Sequence, residues 1–194
     1  MPVKHIREVS INRPADCDYL NADHKLLDML GYELIERQII PANSNICFFS
    51  DLDLNSDFEY VLKLFVTLVP ATNNSYLKLL VNDNSDLAVE GVEHIAISDN
   101  AGHNYTAMTY LCCGRTTNVQ STLLLGECKL VKQNSTYTVF KSDADSFSDT
   151  HATFQHHNGV VRSTDNVSSF SIAPTTGTFS GVIELYKKIP LTPE

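Results

Sequence analysis

The stretch Phe58-Glu59-Tyr60-Val61-Leu62-Lys63-Leu64-Phe65-Val66-Thr67-Leu68-Val69, followed by Pro70-Ala71-Thr72-Asn73-Asn74 and then Ser75-Tyr76-Leu77-Lys78-Leu79-Leu80-Val81, decides how this chain folds. Phe58, Tyr60, Leu62, Leu64, Val66 and Leu68 recur at every second position, the period of a β-strand. Glu59, Lys63 and Thr67 share the opposite face with Val61, Phe65 and Val69. That face is half polar, as expected of a central strand partly covered on both sides. Pro70 fixes φ and Asn73 tolerates a turn conformation, and Leu77, Leu79 and Val81 resume the alternation on the way back. The stretch predicts two long antiparallel strands.

Working outward, strands are predicted at Tyr32–Ile40, Ile46–Ser50, Val92–Ser98, Asn104–Cys112, Ser121–Val131, Thr136–Lys141, Thr150–Gln155, Val167–Ala173 and Val182–Ile189. Clusters of Gly, Asn, Asp and Ser separate them, including a polar loop at Asp51–Asp57, as in a sandwich or barrel of antiparallel strands. No strand–helix–strand alternation is present, which disfavours a parallel α/β sheet. One short helix is expected: Asn21 or Asp23 caps it, Leu26, Leu27 and Leu30 share a face, and Gly31 ends it where a positive φ is needed. Residues 1–27 read as an N-terminal arm that holds a strand-like piece at Val3–Val9 and the start of this helix. Residues 28–194 read as one antiparallel, jelly-roll-like β-sandwich domain, so the class is all-β.

Composition narrows the functions. The 194 residues are 43% apolar, enough for one core, and only 19% charged, with a net charge of −9. A duplex-binding surface needs a basic patch to neutralise phosphates, and the longest basic run is Lys187-Lys188, so no nucleic acid is expected as a partner. No apolar run reaches the roughly 18 residues of a membrane span, and Met1–His5 begins no signal peptide; synthesis in a cytoplasm and no membrane partner are expected. Of the five cysteines, Cys112 and Cys113 are adjacent and point to opposite strand faces, while Cys17, Cys47 and Cys128 lack a C-x-x-C partner. Buried free thiols are the expectation.

Asp51, Asp53 and Asp57 lie in one predicted loop and Asp143, Asp145 and Asp149 in another. Neither supplies the alternating oxygens, central Gly and late Glu of a calcium loop, and solvated turns are the expected reading. His151, His156 and His157 fall in a predicted hairpin, but Gln155 occupies the position that would share a face with His151, and adjacent His156 and His157 diverge. His94 and His103 are scattered. The nucleophile elbow and the phosphate-binding glycine loops are absent. Tyr105, Tyr110, Phe147 and Phe154 lie near strand ends where they could stack on sugar rings, though packing in the core or a turn is expected for each. No catalytic, cofactor-binding or metal-binding residue is assigned, and no enzyme activity or cofactor is expected.

Several segments together resemble a β-sandwich domain of tailed-bacteriophage structural proteins and prophage tail or fibre proteins. They are Gly31–Ile35 with Ile46–Phe49, the Tyr60–Val81 hairpin with its Leu68-Val69-Pro70-Ala71-Thr72-Asn73 turn, Gly126–Leu130, and Val167–Tyr186, where Gly177 and Gly181 relax the bend between the closing strands. The likeness spans most of residues 31–189. Two departures stand out: Ser98–Tyr105 differs from the family pattern, and Lys187 follows Tyr186 where the family has Gly. The resemblance implies virion assembly or surface adhesion, and the expected role is a virion structural protein, a capsid decoration or tail accessory protein on the particle surface, bound to major capsid or tail proteins through its arm and a sandwich edge. Open strand edges would invite pairing with neighbours, so self-association, of which a trimer is one form, is expected. A tail receptor-binding module for host-surface glycan is the alternative, and a hydrolase of host-envelope polysaccharide is the least favoured.

Overall fold

The computed structural model describes residues 31–57, 59–82, 88–97, 100–108, 110–116, 120–134, 137–149, 152–162 and 165–188, with 88–97 and 100–108 described as backbone. The predicted arm and its helix lie outside the described residues. Gly31, at the predicted helix end, has the positive φ expected of it, 77°.

Twelve strands follow in order: β1 (Tyr32–Ser44), β2 (Cys47–Phe49), β3 (Glu59–Val69), β4 (Tyr76–Val81), β5 (Ala88–Ile97), β6 (Asn100–Met108), β7 (Leu111–Arg115), β8 (Thr122–Lys132), β9 (Tyr137–Phe147), β10 (Ala152–Arg162), β11 (Phe170–Pro174) and β12 (Thr178–Lys188). Four antiparallel pairs are nested: β1 with β12, β2 with β11, β3 with β8 and β4 with β7. The chain changes sheet at each step from β1 to β4, which places β1-β12-β3-β8 in one layer and β2-β11-β4-β7 in the other. This is the jelly-roll wrap, a long hairpin rolled upon itself. The hairpins β5–β6 and β9–β10 then widen the first layer to eight strands, ordered β1-β12-β3-β8-β9-β10-β5-β6.

The even residues of β3 supply the centre of the core. Tyr60, Leu62, Leu64, Val66 and Leu68 are buried with Phe49, Leu77, Leu79, Phe140, Phe170, Phe179 and Leu185 between the layers. The half-polar reading of the other face also holds. Val61 is buried there with Tyr32 and Tyr186 in a small outer cluster, while Lys63, Phe65 and Thr67 are half-buried. Gly177 and Gly181 permit the close return of β12 onto β3. At φ 84° and 136°, a Cβ would lie 2.0 Å from the Val69 carbonyl oxygen and 2.3 Å from that of Phe65, respectively, positions only glycine fills.

Three sequence expectations are corrected. The predicted strand Asn104–Cys112 is two strands, β6 and β7, because the chain crosses between layers near Tyr110. The polar loop Asp51–Asp57 contains one helical turn, α1 (Leu54–Asp57), which buries Leu54 in the core. The predicted strands Thr136–Lys141 and Thr150–Gln155 run on to Phe147 and Arg162, so Asp143 and Asp145 stand on a strand and not in a turn.

The physical reason for the last correction is edge protection. The narrow layer ends at β2 and β7, and a strand edge exposes unpaired backbone groups. Ser142 Oγ donates to the Cys112 carbonyl (2.7 Å) and Gln155 Nε2 to the Arg115 carbonyl (2.9 Å), so β9 and β10 cap the open side of β7. At the opposite end Gln38 Nε2 donates to the Phe48 carbonyl of β2 (2.6 Å). Side chains of the wide layer thus reach backbone carbonyls on both edges.

Candidate functional site

Buried side chains pack between the layers, and a depression opens on the outer face of the wide layer. One cross-strand row there runs, by register, from Arg37 through Glu184, Lys63, Glu127, Asp143 and His156 to the backbone positions of His94 and Tyr105. The row crosses all eight strands. Directly opposed side chains in such a row interact: an opposite-charge pair contributes about 0.2–1 kcal/mol, and a like-charge pair destabilises.

Opposite charges face each other at the β1 end of the row, while Glu127 and Asp143 stand opposed as like charges. Arg37 Nε lies 3.4 Å from Glu184, Lys63 Nζ 2.6 Å and Lys129 Nζ 3.0 Å from Glu127, and His156 Nδ1 meets Asp143. Burial raises the Glu127 pKa, but hydrogen bonds from Lys63 and Lys129 and their charges outweigh it, and the net shift is downward. Glu184 is only 2% exposed and also accepts the Tyr186 hydroxyl at 2.8 Å. A buried charge held this way is costly to strip of its partner.

Beside the row is a depression of about 240 Å³, with Phe65, Leu125, Gly126 and Val182 as its apolar part and Lys63, Glu127, Asp143, Asp145 and Glu184 as its polar part. Asp145 is exposed and makes no ion pair or hydrogen bond among the described residues. Register places Phe154 directly across from it on β10. Phe154 is 50% exposed and Phe147 39%. The expectation that these two pack in a core or turn is therefore corrected: both stand on the strand face that carries Asp143 and Asp145, whose inward neighbours are Ser142, Ala144 and Ser146. Tyr110 does pack, edge-on to Tyr76 at 5.5 Å with Lys78 above it, and the Tyr105 side chain lies outside the described residues.

The other candidates disperse. Asp53 caps α1 by accepting from Ser56 N (3.2 Å) and Ser56 Oγ (2.6 Å), and Asn166 Nδ2 adds 2.7 Å; these bonds, the Ser56 hydroxyl's first, lower its pKa. Asp57 accepts the Tyr60 hydroxyl and Asp51 that of Ser50, so the three carboxylates serve local turns. His156 and His157 point to opposite faces, one half-exposed and one buried. His151 and the side chains of His94 and His103 lie outside the described residues. Among the described residues no group of three metal-ligating side chains converges, and no helix is long and apolar enough to cross a membrane.

Cys47, Cys112, Cys113 and Cys128 are buried and free, while Cys17 lies outside the described residues. Burial, then Glu36, pushes the Cys47 thiol up to about 12; burial, then the Cys128 hydrogen bond and charge, raises Cys113. Thiolates are the reactive form. In a Cys17→Ser variant, an aromatic disulfide reagent at pH 8 is expected to label none of the four within minutes, and all four in denaturant. Rapid native labelling of any one would contradict the burial described.

Comparison with protein-family models, with curated proteins and with solved structures returns no match.

Proposed function

We propose that this chain is a non-catalytic structural protein of a tailed-phage virion, carried on the outer surface of the capsid or tail. The observation that carries the reading is the jelly-roll wrap with a side-chain-filled interior, an architecture used by viral capsid and lectin domains. Fold alone does not fix function, and the second support is the sequence resemblance spread along residues 31–189. The outer face agrees with a binding role: Glu127 and Glu184 are matched with cations and Asp143 with the His156 ring. A hydrolytic carboxyl pair needs one member kept protonated at neutral pH, and the downward shift at Glu127 works against that role.

Attachment is assigned to the arm, and self-association to the wide layer. Its β1 edge is interrupted by two register shifts and by Pro41, devices that block strand addition, so copies would meet through β6 or the outer face. Deleting residues 2–20 is expected to leave a cooperatively folding sandwich that no longer incorporates into particles, measured by quantitative blotting of purified particles. Incorporation at the full-length level would defeat the proposal.

A further inference from the structure

We propose that the depression beside the charged row is a subsite for one neutral pyranose ring of a surface glycan, with Phe154 as its stacking platform. The chemistry of the lining, together with Phe154 on the next strand across from Asp145, selects this ligand. A pyranose presents an apolar C–H face and a rim of hydroxyls, and so needs a ring to stack on and donors and acceptors beside it. Phe154 is half exposed on a strand face it shares with His156, Asn158 and Arg162, with no full burial to account for an aromatic there. The unpaired Asp145 carboxylate opposite it can accept two hydroxyl hydrogens, and Lys63, facing the same depression, can donate. Phe65, Leu125 and Val182 make the apolar floor.

Size and charge narrow the class further. About 240 Å³ is below the roughly 300–1,000 Å³ of pockets that enclose a drug-sized ligand. It suits one ring, with the rest of the chain lying along the open sheet. Four carboxylates and one lysine line the depression, so an acidic sugar or a phosphate would be repelled. Ion pairs occupy Glu127 and Glu184 and the His156 ring occupies Asp143, which leaves Asp145 as the acceptor without a partner among the described residues and disfavours capture of a cation.

The full-length chain would be applied to arrayed gluco-, galacto- and manno-oligosaccharides alongside uronate-containing ones, and any hit titrated calorimetrically. Retention of at least one neutral oligosaccharide is expected. Phe154→Ala and Asp145→Asn would each weaken it at least tenfold without changing the melting temperature, because both side chains are exposed. Phe48→Ala, exposed on β2 in the other layer, would not change it. Retention of uronate chains only, no retention at millimolar sugar, or a hit indifferent to both substitutions would overturn the subsite. The inference is separable from the virion reading, since the isolated chain either holds the sugar or does not, whatever becomes of the arm truncation.

Discussion

Replacing Phe170 with Ala is expected to lower the unfolding free energy by about 3–5 kcal/mol, and the melting temperature by roughly 6–20 °C for a chain of this size. Phe170 is fully buried on β11, the strand that joins β2 to β4; its register partners are Phe49 on one side and Val81 on the other. Its ring lies 5.2 Å from that of Phe49 and 6.5 Å, edge-on, from that of Tyr60. Truncation therefore removes an aromatic cluster as well as buried area, and leaves a void that strands paired on both sides cannot close. Tyr60 couples the void to α1, because its hydroxyl accepts the Asp53 amide at 2.8 Å and donates to Asp57. Phe170→Leu, which keeps most of the volume, should cost less than half as much. Denaturant titration of both variants decides the matter. A loss below about 1 kcal/mol for the alanine variant would mean the layers are not packed through this residue.

The parts of the fold that the sequence announced are those where burial alternates cleanly. In β3 the period-two run from Tyr60 to Leu68 is the core itself, and the Pro70 turn and the glycines of the closing strand fall where their chemistry indicates. The full length of β9 and β10 is hidden from sequence because their inward positions are Ser142, Ser146, Thr153, Gln155 and His157 as well as Phe140 and Val161. Hydrophobic periodicity reads a strand only if its buried side is apolar. Here polar groups are buried to cap the backbone of β7, a partner distant in sequence, so the signal vanished. The charged row was invisible for a related reason. Arg37 and Glu184, or Lys63 and Glu127, become neighbours only through strand order and register, neither of which a local window contains.

His157 supplies the second large effect, and it is a pH effect. The side chain is 1% exposed on the inward face of β10, edge-on to Phe140 at 5.5 Å, and neither ring nitrogen finds a hydrogen-bond partner among the described residues. Burial, then the nearby His156, lowers its pKa from 6.5 to about 4. The unfolded chain therefore binds the proton more tightly than the folded one between those values. Stability is fully present above about pH 6.5, falls as the pH drops, and stops falling on this account below about pH 4. A depression of that size corresponds to roughly 3 kcal/mol at the acid end. His157→Leu removes the titrating group and two unsatisfied buried nitrogens, so it should be neutral or stabilising at pH 7.5 and clearly stabilising at pH 4.5. Carboxylate protonation also weakens the fold in acid, but it is common to both proteins and cancels in the difference. Denaturant unfolding at pH 7.5, 5.5 and 4.5 should show the gap between variant and parent widening by about 2–3 kcal/mol towards acid. A gap that stays constant with pH would mean that His157 is solvated or paired in the folded chain, and would remove the polar layer beneath β7 as a source of acid sensitivity.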